Sequence, residues 1–276
     1  MPELPEVESV LRQLRPRLRG RQVLQATADP QARFGGLDEA VGCRVLDLRR
    51  RGKYLLASLS ALESAGAPAG RRELVMHLGM TGALRLRGED GWVPDAYVRA
   101  TLVLDDGVLD FRDVRRFGRL TVVAEGDYEH IATLARLGPE PLSPAFTAEG
   151  FHAALQRSRQ PVKVQLLSQR PVAGVGNIYA DEALWLARVD PRARRLGPQR
   201  SRGLWSALRE VLAGAVEREG TTFRDYQMVN GASGRHAAFL KVYGKAGLPC
   251  PRCGARLRRL VVGGRGSTHC PRCQRW

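Results

Sequence analysis

Two groups of residues in this 276-residue chain have types and spacings suited to chemistry. The first is Met1-Pro2-Glu3-Leu4-Pro5-Glu6-Val7-Glu8 at the start. With Met1 removed, Pro2 would present a secondary amine, and an α-amino group titrates near about pH 7.7–8.0, far below a lysine. A useful fraction would be neutral and nucleophilic, with the carboxylates of Glu3 and Glu6 close by in sequence. Taken alone, these residues equally permit a helix start with an incidental proline. The second group is Cys250-Pro251-Arg252-Cys253 and Cys270-Pro271-Arg272-Cys273, two C-x-x-C knuckles separated by sixteen residues. That spacing is that of a tetrahedral four-cysteine site, closed to substrate, so one structural Zn2+ is expected on Cys250, Cys253, Cys270 and Cys273. Disulfides are disfavoured in an intracellular protein. Cys43, inside a strand-like run, reads as a small buried hydrophobe.

A weaker signal is Pro171-Val172-Ala173-Gly174-Val175-Gly176-Asn177, a glycine-bearing connection that would aim a helix N-terminus outward as an anion site. Lys163, one helix earlier, is the expected countercharge.

Elements must position these groups. Pro5 suits a first helical turn, Glu6 and Glu8 complement the dipole, and Val7, Val10, Leu11, Leu14 and Leu18 form one apolar face. Pro16 is expected to kink this helix or end it early. Strands are expected at Arg44–Leu48, Lys53–Leu56, Glu73–Leu78, Ala83–Arg87, Val98–Leu104, Val108–Phe111 and Arg119–Val123, with Asp106-Gly107 as a hairpin turn. Many short strands at this spacing suggest an antiparallel β-sandwich. Ser60–Gly70 reads as a loop, and Gly138–Pro144 as a domain linker. Helices are then expected from Thr147, an N-cap, to Gln156, from Pro161 over Lys163–Gln169, from Asn177, and from Gln199 to Glu219 with Gly220 as the stop.

Lys plus Arg is 44 against 28 Asp plus Glu, a formal charge of +16, which points to a polyanionic partner, nucleic acid first. Only four of those basic residues are lysines, so abundance says less than location. After Asp225 no acidic residue occurs, while ten basic ones follow. No apolar run approaches a membrane span and no signal-peptide pattern opens the chain. The expectation is a cytoplasmic protein.

Seven segments, in order, resemble the formamidopyrimidine-DNA glycosylases: Pro2–Glu8, Arg51–Leu56, His77–Gly82, Asp113–Gly118, Leu137–Leu142, Val175–Glu182 and the zinc knuckles. The resemblance implies an α+β multidomain fold: an N-terminal antiparallel β-sandwich, then a C-terminal helix–two-turn–helix domain with a four-cysteine zinc β-hairpin. The implied boundaries are 1–137, a linker 138–145, a helical domain 146–236 and the hairpin 237–276. It implies a bacterial, monomeric, nucleoid-associated enzyme that excises oxidised purines from duplex DNA and cuts the strand by β,δ-elimination. Pro2 would be the nucleophile, Glu3 the acid/base and Glu6 its support, with Lys53 and Arg265 counted at the catalytic centre as well as on DNA. Met80, Arg115 and Phe117 would fill the void left by the flipped nucleotide, as base flipping requires. Lys53, Arg116, Asn177 and Arg265 would contact phosphates, with Lys163 also on the DNA side. Ser168 departs from the Asp of many relatives, and Gly220–His236 corresponds to the base-capping loop. Two other readings stand beside this one. An endonuclease VIII-type enzyme for oxidised pyrimidines usually carries Gly where this chain has Leu4. A non-catalytic zinc-hairpin DNA-binding protein would explain the basic tail but not Pro2-Glu3.

Overall fold

The computed structural model describes residues 1–30, 33–60, 70–88, 91–221, 229 and 234–276. Most of the Ser60–Gly70 loop and of the base-capping segment thus lies outside the described residues. The chain forms two compact units, Met1–Ala135 with Glu219–Arg235, and Arg136–Arg218 with His236–Trp276. This grouping differs from the expected boundaries: Glu219–Arg235 belongs with the first unit, and the zinc hairpin shares a unit with the helices. Hydrogen bonds described below account for both.

The first unit opens with α1 (Leu4–Leu18), whose Val7, Val10, Leu14 and Leu18 are buried. Burying each such side chain is worth about 1.5–3 kcal/mol. Pro16 does not end α1 early; the helix continues to Leu18. Pro16 lies on the exposed face of the last turn, where its ring meets no packed neighbour and only one intrahelical bond is lost. The strands are β1 (Val23–Ala28), β2 (Phe34–Gly35), β3 (Val45–Arg51), β4 (Tyr54–Leu59), β5 (Arg72–His77), β6 (Gly82–Leu86), β7 (Val98–Leu104), β8 (Gly107–Asp113) and β9 (Arg119–Ala124), followed by the short α2 (Ala132–Ala135).

These strands form two sheets, ordered β2-β9-β5-β4-β3 and β1-β7-β8-β6. Pairing is antiparallel except for the two-residue pairing of β2 with β9. Leu48, Leu55 and Met76 of one sheet meet Leu84, Leu102 and Phe111 of the other in one core, with α1 packed on it. Cys43 is fully buried there, and burial pushes its thiol upward. The β7–β8 turn is Asp105-Asp106, one residue earlier than expected, and Gly107 opens β8 at φ +107°.

The second unit contains α3 (Ala148–Gln156), capped by Thr147 accepting from the Gly150 N–H, then α4 (Val162–Leu167), α5 (Asn177–Leu186) and α6 (Pro198–Glu217). Ser168 caps α4, and its hydroxyl donates to the Gln165 carbonyl at 2.6 Å, a local packing role. The hairpin of β10 (Arg258–Val262) and β11 (Arg265–His269) pairs Val262 with Arg265 around Gly263-Gly264. It lies along α5. The Asn177 side-chain amide donates to the Gly266 carbonyl, the Thr268 N–H donates to Asp181, and the Trp185 indole N–H donates to Cys250 Sγ. Glu182 accepts from the N–H groups of Lys241, Val242 and Tyr243. One helix therefore holds the hairpin along its whole length.

Candidate active site and nucleic-acid contacts

Pro2, Glu3 and Glu6 are buried where α1 begins, while Met1 beside them is 51% exposed. Glu3 is the N-cap, and Glu3 and Glu6 form a reciprocal capping box. The Glu3 N–H donates to Glu6 Oε2 at 2.7 Å, and the Thr221 N–H donates to Glu6 Oε1 at 2.7 Å. Both oxygens of a carboxylate that is only 1% exposed are thus engaged. Gly220, at φ +79°, lies so near that a Cβ would stand 2.6 Å from Glu6 Oε1. Gly234 is as close to the Gly220 carbonyl, and Thr221 bridges to Arg235. Gly220 reads in sequence as a helix stop and the first residue of the base-capping segment. Its further role, backbone contact with Glu6, has no local signature beyond the glycine itself.

Lys53 sits in the two-residue Gly52-Lys53 turn between β3 and β4. The turn is tied to α1 through Arg50, which donates to Glu8 at 2.8 Å and to the Gly52 carbonyl at 3.1 Å. Lys53 is 3% exposed, so its ammonium lies beneath the surface rather than on it. Its charge, after burial, pushes the nearby His77 imidazole down to about 4. The neutral His77 accepts the Gly79 N–H at Nδ1.

Met80, Arg115 and Phe117 come together on two loops of this unit. Gly79, at φ +61°, packs onto the 117–118 backbone; an added Cβ would stand 2.5 Å from Gly118 N. Buried Asp113 ties the loops further, accepting from the Thr81 hydroxyl at 2.5 Å, the Arg115 N–H at 3.2 Å and the Gly118 N–H at 2.7 Å. Met80 is half-buried and Phe117 is 45% exposed, with the Arg115 guanidinium 4.9 Å from its ring centroid. Ordinary core packing does not describe an aromatic ring so placed. Arg116, at φ +57°, is exposed and 3.4 Å from Asp29. Asp113 has no signature of its own in sequence; the fold makes it the clamp between the two loops.

In the second unit Arg265 is exposed at the start of β11, and Asn177 is half-buried beside it. The Asn177 amide oxygen has no partner among the described residues. The connection Pro171–Gly176 is buried throughout, so only Asn177 reaches the surface there. The expectation for Lys163 is corrected. It is fully buried, and its ammonium donates to Asp181 at 2.6 Å, Ser267 Oγ at 2.7 Å and the Gly266 carbonyl at 3.1 Å. Lys163 joins α4, α5 and the hairpin, with its ammonium buried among these acceptors rather than exposed at a helix N-terminus. Burial raises Asp181 to about 6 despite this cation.

The four Sγ atoms of Cys250, Cys253, Cys270 and Cys273 lie within 4.8 Å of one another. Zn–S bonds of about 2.3 Å require such a cluster, so the residues fit one zinc ion. The Trp185 N–H at 3.4 Å from Cys250 and the Cys273 N–H at 3.3 Å from Cys270 offset thiolate charge. When bound, zinc crosslinks the two knuckles and supplies no chemistry to a substrate.

Three family models match: the formamidopyrimidine-DNA glycosylase N-terminal domain over residues 1–120, the H2TH domain of that enzyme over 137–227, and the FPG and IleRS zinc finger over 247–275. The chain is 49% identical over 278 aligned residues to the formamidopyrimidine-DNA glycosylase of Thermus thermophilus, covering 99% of this chain and 98% of that one. It is 45% identical to the Deinococcus radiodurans enzyme of the same name, covering 99% and 97%. Its structure matches the crystal structure of the Thermus thermophilus MutM (Fpg) protein with a TM-score of 0.89, at the same 49% identity and the same coverage. A Lactococcus lactis Fpg mutant in complex with DNA containing Fapy-dG matches with a TM-score of 0.87 at 33% identity, with both chains fully covered. With likeness of this extent across both units, the chain belongs to the formamidopyrimidine-DNA glycosylase family of zinc-finger DNA-repair glycosylases.

Proposed function

We propose that the protein excises oxidised purines, 8-oxoguanine and formamidopyrimidines, from duplex DNA and then cleaves the abasic strand by β,δ-elimination. The observation that carries this is the buried Pro2-Glu3 pair, fixed at the helix start by Glu6. Solved relatives in complex with DNA containing Fapy-dG or carbocyclic 8-oxo-G support the substrate class. The exposed Met1 is accessible for removal, which frees the Pro2 amine. That amine attacks C1′ of the flipped nucleotide, and the damaged base departs with the electrons of the glycosidic bond. The Pro2 nitrogen gives up its N–H proton to the Glu3 carboxylate, Glu3 delivers that proton to the ring oxygen O4′, the C1′–O4′ bond breaks and the Pro2 iminium forms. The iminium is cationic without an added proton and accepts the electrons released as the C2′ proton leaves. The 3′ phosphate departs next, then the 5′ phosphate, leaving a one-nucleotide gap.

In this reading Met80, Arg115 and Phe117 occupy the vacated stack, and Lys53, Arg116, Asn177 and Arg265 hold the backbone. Borohydride should trap a covalent adduct that maps to Pro2 by peptide mass. Glu3→Gln should bind lesion DNA yet excise its base about 10²–10⁴-fold more slowly. An adduct on Lys53, or full activity in protein that retains Met1, would defeat the mechanism.

A further inference from the structure

The end of α5 opposite Asn177 carries a second basic surface. A depression of about 900 Å3 is lined by Arg188, Arg200, Arg252, Arg272, Arg275 and Trp276, with Cys253 and Cys273 on its wall and no acidic residue. Two of the guanidiniums are held by backbone carbonyls. Arg252 donates to Trp185 O at 3.0 Å and Leu186 O at 3.2 Å, and Arg200 donates to Arg275 O at 2.7 Å. Arg188, Arg272 and Arg275 have no ion-pair partner among the described residues. A second depression, of about 390 Å3, shares Arg275 and Trp276 with the first and adds Arg258 and Arg259. Its one acid, Asp190, is already spent on Arg192 at 2.8 Å. Trp276 stands where the two meet. It is 65% exposed, with one face covered by Arg192 at 4.6 Å from the ring centroid.

The first depression is separate from the Asn177–Arg265 contacts, whereas Arg259 of the second extends to Gly266, next to Arg265. The ten-residue α5 puts about 15 Å between its two ends. Asn177 and Arg265, the first residue of β11, lie at one end; Trp185, Arg188 and the cysteine knuckles lie at the other.

We propose that this face binds a second nucleic-acid segment, a single strand, while the DNA held near Asn177 and Arg265 is engaged. Tethered guanidiniums offer their remaining N–H edges as forks that match phosphate oxygens. An exposed indole between two basic basins offers a stacking platform that an unpaired base fits and an acidic peptide does not use. The strand's phosphates run through both basins and one base stacks on the open face of Trp276. Such a face keeps the enzyme near DNA after its first contact is released.

The test is fluorescence anisotropy of a labelled oligothymidylate added to protein saturated with unlabelled lesion duplex. Occupancy of the first site is followed with a second dye on the duplex, so failure of the repair reading and failure of this one are distinguishable. The strand should bind the preloaded protein, with affinity falling steeply with salt. The double variant Arg188→Glu/Arg275→Glu should weaken strand binding at least about tenfold and lower the log–log salt slope by roughly 1.4, from about 0.7 per lost single-strand contact. Incision of a short lesion duplex should be unchanged. Trp276→Ala, which alters no charge, should weaken the strand about tenfold through lost stacking. Zinc content guards against misfolding of the double variant. The proposal is overturned if preloaded protein binds no strand, if both variants bind as wild type, or if oligoglutamate of equal charge displaces the strand as well as unlabelled oligothymidylate does.

Discussion

His77 shows how a single protonation state can support the loop that carries Met80. Its Nδ1 accepts the Gly79 N–H, and Gly79 precedes Met80. A proton on Nδ1 would abolish that bond and place a cation near Lys53, Arg119 and Arg33. Burial comes first among the causes that lower this imidazole from 6.5 to about 4, and the neighbouring cations add to it. The folded pKa lies below the unfolded one, so the stabilisation is full above pH 6.5 and is lost as pH falls towards 4. At most about 3 kcal/mol is at stake. His77→Asn keeps an acceptor near Nδ1 but cannot titrate. Thermal melting between pH 7 and 4 should show wild type losing stability more steeply than the variant. Parallel profiles would remove His77 as the acid-sensitive group. Glu6 fixes backbone in a similar way, because its two oxygens serve two backbone donors that lie far apart in sequence.

Among the elements, zinc and α5 share the work of holding the hairpin. Trp185, Val242, Cys250, Leu257 and Cys270 make a small apolar cluster that cannot carry the fold without the metal crosslink. Cys253→Ser should lose zinc, unfold residues 247–275 and weaken DNA binding, while the sandwich unit keeps its melting transition. Metal analysis and calorimetry check this, and zinc-free protein with full DNA affinity would sink it. Much of this architecture was legible in sequence, because alternating and helical patterns report local burial directly. Strand β7 has its expected ends, and the knuckle spacing announced the metal site. Strand β1 escaped because only Val23 of its six residues is buried, so no alternation exists to read. The role of Lys163 was misjudged for a related reason. A lysine's charge is visible in sequence, but Asp181 and Ser267, which neutralise and bury it, are brought beside it only by packing. The clamp of Gly79, Gly118 and Asp113 likewise depends on contacts between distant loops.

Over the whole molecule, the formal charge of +16 sets a background attraction for DNA, and particular side chains determine how the duplex is held. The strand that carries Arg265 shows the difference. Gly263, at φ +56°, lies so close to α4 that a Cβ would stand 2.6 Å from Val164 Cγ2. Next to Arg265, the Gly266 carbonyl accepts from both Lys163 and Asn177, and Ser267 and Thr268 are buried. Arg265 is thus an exposed cation on a strand immobilised on both sides, and ordering it for a phosphate costs little further backbone entropy. Released counterions make affinity fall with salt in proportion to the phosphates contacted, with a slope of about −0.9 for each on duplex DNA. Arg265→Ala should therefore lower the log–log salt slope by about one unit, equally for damaged and undamaged duplex, because a phosphate contact carries no base information. Binding isotherms over a salt series on both duplexes measure this. An affinity loss confined to lesion DNA, at unchanged slope, would take Arg265 off the phosphate backbone and put it at the lesion.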